Sequence, residues 1–284
     1  MGLFTFSRNK EFGKAIKPSR FRRLAIGSWG TQSDPTIYGI VEVNAEKALS
    51  YIASERERTG ERITINHYVG KVFAKIVEKN PELNTEIRWG KFFPRSEIDI
   101  SFQVSVEKNQ DLSSGVVRNI NKASLAEIAK ALSHGAKEIR KKDDPGFRGI
   151  KNISSIIPGF LQRPSVMILQ FVLSTLNIWS PLLGVPQNAF GSLMITSTGS
   201  LGLDLAFPAL FPPAGVPMII AVGALFDAPV YTKLEDGNVS VRLEKHIKLC
   251  GAFDHRYLDG LHGAKIANGI REYFKNPESM FSED

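Results

Sequence analysis

The chain has 284 residues, 43% hydrophobic and 23% charged, with a net charge of +7. These values exclude global disorder and give room for a real core in one large domain or two small ones. The basic surplus comes with no zinc, RNA-binding or helix-turn-helix pattern, so nucleic acid is not expected as a partner; a solvated face suits it better than an anionic ligand or a membrane surface.

One cysteine, Cys250, rules out an intrachain disulfide and fits a reducing, cytoplasmic setting. It lies in an apolar run and reads as a small buried side chain. Residues 1–10 lack the apolar core of a secretory signal, and Phe6 stands where a myristoylation pattern needs Ser or Thr.

Residues 1–24 form a basic arm, with Lys14, Lys17, Arg20, Arg22 and Arg23. Residues 37–43 (IYGIVEV) predict a strand, and Asn44 is placed to cap a helix through residue 58. Val69, Val72, Phe73, Ile76 and Val77 fall at helical spacing, ending at Pro81, and His67 near the start of that helix takes a packing or surface role. Ile98, Ile100, Phe102, Val104 and Val106 alternate with polar residues, as in a half-buried strand, and 112–118 follow as a second. Ser124 and Glu127 make a capping box for an amphipathic helix over 124–139. The charged stretch 140–152, with Pro145-Gly146, is a loop.

From residue 164 to 203 there is no Asp, Glu, Lys or Arg. Residues 165–179, bracketed by Pro164 and Pro181, predict a buried or interfacial helix, too short for the run of about 20 residues that spans a bilayer. Residues 192–198 predict a strand entering a glycine turn, 218–224 a buried strand, 235–238 a hairpin turn and 239–249 the strand after it. A helix over 261–274, stopped at Pro277, closes the chain. Helices and strands are mixed without strict alternation, which points to an α+β sandwich.

Ahead of that last helix stands Phe253-Asp254-His255-Arg256-Tyr257-Leu258-Asp259-Gly260. Histidine is the side chain best suited to take a proton near neutral pH, and the Asp-Gly pair offers a carboxylate and a tight turn. The block resembles the S-[FY]-D-H-R-x-[IL]-D-G signature of the dihydrolipoamide acyltransferase (2-oxoacid dehydrogenase acyltransferase) catalytic domains. Upstream, 191–202 (GSLMITSTGSLG) is similar to that family's G-x-F-T-I-S-x-x-G-x-x-G, and 217–223 to its P-x-x-A-I-L-x-V-G. Lys79-Asn80-Pro81-Glu82-Leu83-Asn84 and 121–132 (NKASLAEIAKAL) match F-P-E-L-N and D-x-K-S-L-x-E-I-A, in the right order.

The resemblance implies a chloramphenicol-acetyltransferase-like α/β two-layer sandwich over 25–284, assembled as a homotrimer or higher homo-oligomer with active sites between subunits. It also implies a coenzyme A-dependent acyltransferase with no metal. His255 would deprotonate the incoming thiol, and the hydroxyl of Thr196, where the family carries serine, would stabilise the tetrahedral oxyanion. Asp259 would support local geometry, pairing with Arg22 or Arg23. Asp254 and Arg256 would fix the loop by ion pairs, and His262 would be structural or exposed.

Three features depart from the family. No lipoyl or subunit-binding segment is recognisable, which predicts a free-standing catalytic domain without a covalently attached lipoyl group, served by acyl-CoA and a separate lipoyl or acyl-carrier protein. An apolar insertion at about 153–185 replaces a short polar connection. The family's G-L-V-V-P-V-I wall becomes Asp111-Leu112-Ser113-Ser114-Gly115-Val116-Val117. These features leave a second expectation, a non-catalytic trimeric scaffold or assembly subunit of a 2-oxoacid dehydrogenase-type complex, attached to a membrane surface through the insertion.

Overall fold

The computed structural model describes residues 7–19, 34–106, 111–142, 157–211, 214–234 and 238–281. The main sheet contains β2 (Thr36–Asn44), β5 (Ile100–Val106), β6 (Asp111–Val117), β8 (Leu193–Ser197), β9 (Met218–Val222), β10 (Phe226–Lys233) and β11 (Val239–Asp254). Its order is β10-β11-β9-β8-β5-β6, with β2 also paired to β11. The pairs β5–β8 and β8–β9 are parallel and the rest antiparallel. β9 reads MIIAV and is buried at every position, as expected of a strand covered on both faces. β11 runs five residues further than the apolar pattern of 239–249 predicts, so the strand carries the chain straight into the His255 turn.

Helices α1 (Glu46–Thr59), α2 (Ile65–Lys79), α3 (Leu125–Lys142) and α5 (Gly260–Lys275) supply the second layer. The main core joins Ile52, Phe73, Ile128 and Ile270 from these helices to Ile100, Ile195, Ile220 and Leu249 from the sheet. A smaller cluster of Met194, Ala214, Val216 and Ile219, with Phe190 and Leu210, includes positions next in sequence to Ile195 and Ile220. Side chains alternate along a strand, so this cluster lies on the other sheet face, and Thr196 shares that face with Met194.

Local chemistry explains the helix starts. The Ser124–Glu127 box forms as expected: Ser124 N–H donates to Glu127 at 2.8 Å and Glu127 N–H donates to Ser124 Oγ at 3.3 Å. Asn44 stands one residue early. Ala45 occupies the cap position of α1, while Asn44 Oδ1 accepts from Glu46 N–H at 2.8 Å. His67 closes a capping box on α2 by accepting the Thr64 N–H at 3.2 Å, and burial, then the nearby Arg56, holds its imidazole down to about 4.

The insertion differs from the sequence expectation. Its helix, α4 (Gly159–Gln170), begins before Pro164, which lies inside it. A π-helical stretch, Phe171–Thr175, follows. Ile178–Trp179 is a short strand, β7, paired with β1 (Ser7–Arg8), where the spacing predicted helix. No residue of α4 is buried in the single chain, and Phe160, Met167 and Ile168 are largely exposed. Among the described residues no helix is long and apolar enough to cross a membrane.

Two further elements escape the sequence reading: β10, and the hairpin of β3 (Thr85–Arg88) and β4 (Lys91–Pro94). The hairpin turns through Trp89 and Gly90, both at positive φ. Residues of the N-terminal segment bridge to it, Phe12 to Arg95 and Ile16 to Phe92.

Candidate active site

The His255 block is held at every position. β11 delivers it to the strand end, where Asp254 N–H donates to the Pro217 carbonyl at 2.9 Å and His255 N–H to the Pro35 carbonyl at 2.9 Å. Asp254 is buried and binds Arg256 through Nε at 3.0 Å and Nη2 at 2.6 Å, the loop-fixing ion pair expected of these two residues. Tyr257 is buried, and its hydroxyl accepts the Ile87 N–H at 3.0 Å. Burial, then the charge of Glu86, pushes its phenol far above the ordinary range.

Leu258 is 2% exposed and anchors the turn in the core. Its carbonyl lies 2.6 Å from His255 Nδ1. A carbonyl only accepts, so Nδ1 carries the proton, and the neutral ring presents its lone pair at Nε2. Sequence reasoning misses this backbone contact because it depends on the turn conformation rather than on residue type.

Asp259 caps α5. Its Oδ1 accepts from Leu261 N–H at 3.1 Å and His262 N–H at 3.2 Å, and also meets His262 Nδ1 at 2.6 Å. His262 thus has a definite structural position as the third helical residue of a capping box. The pairing of Asp259 with Arg22 or Arg23 lies outside the described residues.

Thr196 is half-buried on β8, in register with Ala221 of β9, which is in register with Cys250 of β11. His255 is thus two strands across and five residues along from Thr196. Strand spacing and rise put their Cα atoms roughly 18 Å apart. No side-chain rotation closes that gap, so one chain does not bring the two residues together.

The glycines beside Thr196 have steric reasons. Gly191 has a φ of +64°, and a Cβ there would collide with the Asp99 carbonyl oxygen. A Cβ on Gly199 would meet the backbone of Gly223.

A buried charge cluster that sequence reasoning does not reveal supports the block from behind. Glu86 Oε2 binds Lys10 Nζ at 2.7 Å and Arg95 Nη2 at 3.1 Å, and Arg95 also donates to the Gly191 carbonyl. Desolvation lowers Lys10 to about 8, against the opposing pull of Glu86. Arg118 and Asp99 form a second pair at 2.7 Å, and Asn188 Nδ2 donates to the same carboxylate at 2.9 Å. Lys10 and Glu86 are 76 positions apart, a pairing that no local pattern signals.

Helices on one face of a mixed sheet, with the histidine turn at a strand end, define a chloramphenicol-acetyltransferase-like sandwich. A solved chloramphenicol acetyltransferase covers 92% of this chain and 100% of its own, with a TM-score of 0.53 at 11% identity. The sequence model for 2-oxoacid dehydrogenases acyltransferase (catalytic domain) matches residues 20–143 and 184–282, and the chain belongs to that family. Residues 144–183 lie outside the match.

A Bacillus subtilis relative, the dihydrolipoyllysine-residue acetyltransferase component of an acetoin cleaving system, is 25% identical over 235 residues, 83% of this chain and 46% of its own. The chain spans about half the length of the curated relatives it matches. The Azotobacter vinelandii dihydrolipoamide acetyltransferase structure is 16% identical, with a TM-score of 0.64 over 91% of this chain and 88% of that one.

Proposed function

We propose that this chain catalyses coenzyme A-dependent acyl transfer to a second thiol, at a site shared between neighbouring copies of a homotrimer. The observation that carries this reading is the 2.6 Å bond from His255 Nδ1–H to the Leu258 carbonyl. It holds the ring in the tautomer whose basic nitrogen is Nε2.

A thiol at neutral pH is mostly protonated and a weak nucleophile. His255 Nε2 takes the proton of the acceptor thiol as its sulfur attacks the thioester carbonyl of acyl-CoA. The resulting tetrahedral oxyanion accepts a hydrogen bond from the Thr196 hydroxyl of the adjacent copy, a donor placed where charge develops. The intermediate collapses, the bond to the coenzyme A sulfur breaks, and that thiolate takes the proton back from the imidazolium. Acyl group and proton balance, and no metal or redox step is needed.

The separation of roughly 18 Å within one chain favours a shared site over a single-chain one. The Azotobacter vinelandii enzyme was solved in work on a serine, a histidine and an asparagine of its catalytic mechanism, the last two four positions apart. His255 and Asp259 have the same spacing. In this reading Asp259 is a positioning residue that fixes the start of α5 and thereby the turn carrying the histidine. A free thiol acceptor, a dihydrolipoyl group on a separate carrier, suits a reducing compartment such as the cytoplasm.

Turnover of acetyl-CoA with dihydrolipoamide tests the assignment. His255→Ala should lower kcat by about 10²–10⁴-fold, and Thr196→Ala by about 10²–10³-fold, with Thr196→Ser retaining activity. Equal turnover in wild type and His255→Ala would remove the histidine from the mechanism and favour a scaffold role.

A further inference from the structure

Residues 166, 169, 170, 173 and 174 fall at helical spacing along α4 and its π-helical extension, and all five line one cavity of about 170 Å³. Ala189, Phe190, Phe211 and Ala214 also line it. The helical side belongs to residues 144–183, which the family's sequence model does not match. The π-helical stretch closes on a hydrogen bond from Leu176 N–H to the Phe171 carbonyl at 2.9 Å. Such local widening of a helix recurs at functional sites.

The cavity's lining shares a packed cluster with the strand that carries Thr196. Phe190 and Ala214 pack with Met194, two residues from Thr196 on the same sheet face.

The lining selects the occupant. Lys10 and Asn9 reach the wall, but Lys10 is met by Glu86 at 2.7 Å. The Asn9 amide donates to the Leu173 carbonyl at 3.0 Å and accepts the Asn188 N–H at 3.1 Å. A carboxylate at the end of a substrate tail would give up water for a wall whose cation is already neutralised. Gln170 and Ser174 also line the cavity, but most of the lining is apolar, which an aliphatic tail matches. An apolar cavity of about 150 Å³ holds a six-carbon ring, which sets the scale.

We propose that this cavity is an acyl-chain pocket, taking about six carbons of a medium-chain aliphatic acyl group whose thioester carbonyl reacts beside Thr196. The proposal rests on the acyl-transfer reading of His255 and Thr196.

The test compares acetyl-, hexanoyl-, decanoyl- and succinyl-CoA as donors to dihydrolipoamide. The binding of each to wild type is measured separately by calorimetry. Each methylene buried should raise kcat/KM by roughly fourfold until the cavity is full. Hexanoyl- or decanoyl-CoA should therefore exceed acetyl- and succinyl-CoA by more than about tenfold. Val166→Phe, which fills the cavity from the half-exposed helix side, should abolish that preference and leave acetyl transfer intact. Leu169→Ala should shift the optimum to longer chains.

Acetyl or succinyl transfer at least as efficient as hexanoyl transfer would overturn the pocket and leave acyl transfer standing. If no acyl-CoA is turned over but hexanoyl-CoA binds more tightly than acetyl-CoA, and Val166→Phe erases the difference, the pocket stands and the transfer reading fails.

Discussion

Replacing Glu86 by Gln should cost the fold about 3–5 kcal/mol at pH 7, because it strands two buried cations. Glu86 is 1% exposed, with Lys10 Nζ at 2.7 Å and Arg95 Nη2 at 3.1 Å. At an effective dielectric of about 20 these separations correspond to gross attractions of about 6 and 5 kcal/mol. Repulsion between the cations and the desolvation of all three groups offset most of that, and glutamine keeps the volume, so the loss is electrostatic. The pH dependence identifies the mechanism. Lys10 is held near 8 in the fold and titrates near 10.5 when exposed. Between those values the unfolded chain binds more protons, so stability rises as pH climbs from about 8 to about 10.5 and falls as pH drops through 8. Without Glu86 the Lys10 value drops further, so in Glu86→Gln the rise starts at lower pH. Lys71, also lowered to about 8 by burial, adds a similar slope to both proteins and cancels in the difference. Urea unfolding from pH 6 to pH 10 measures both effects. A loss below about 1 kcal/mol at pH 7, or a loss that does not change with pH, would refute the reasoning.

Asp259→Ala should cost about 1 kcal/mol in chemical denaturation through the lost cap of α5, with Asp259→Asn near wild type; equal losses in both would show that charge rather than capping matters. Gly191→Ala should cost more than about 2 kcal/mol, since it combines positive φ with a clash against the Asp99 carbonyl, and soluble yield and urea midpoint would report it. Tyr257→Phe should cost about 1–3 kcal/mol, because Ile87 N–H loses its acceptor. A smaller loss would mean that the amide finds another partner.

Much of the sandwich can be read from the sequence because its elements carry strong local periods. The alternation over 98–106, the apolar stripe of α2 and the Ser124–Glu127 box each specify one structure and the fold agrees. The hairpin at 85–94 carries no such signal: its strands are four residues each, too short for a period to show. Pro164 does not bound α4 as its residue type suggests, since the helix continues through it on a side of the molecule where no core forces regularity. For the candidate site the sequence nominates His255 and Asp259 through one motif and Thr196 through another. It could not supply the Leu258 carbonyl, the Asp259–His262 cap or the Glu86 cluster, because these arise when distant segments or backbone atoms meet.

Mixed oligomers give the most direct test of the shared site. His255→Ala and Thr196→Ala chains, each with its own tag, are co-expressed, and oligomers bearing both tags are assayed with acetyl-CoA and dihydrolipoamide. If histidine and threonine come from neighbouring copies in a ring of three, every mixed trimer has one intact pair among its three interfaces, and activity should return to about a third of wild type. Mixed oligomers as inactive as their parents would contradict the account.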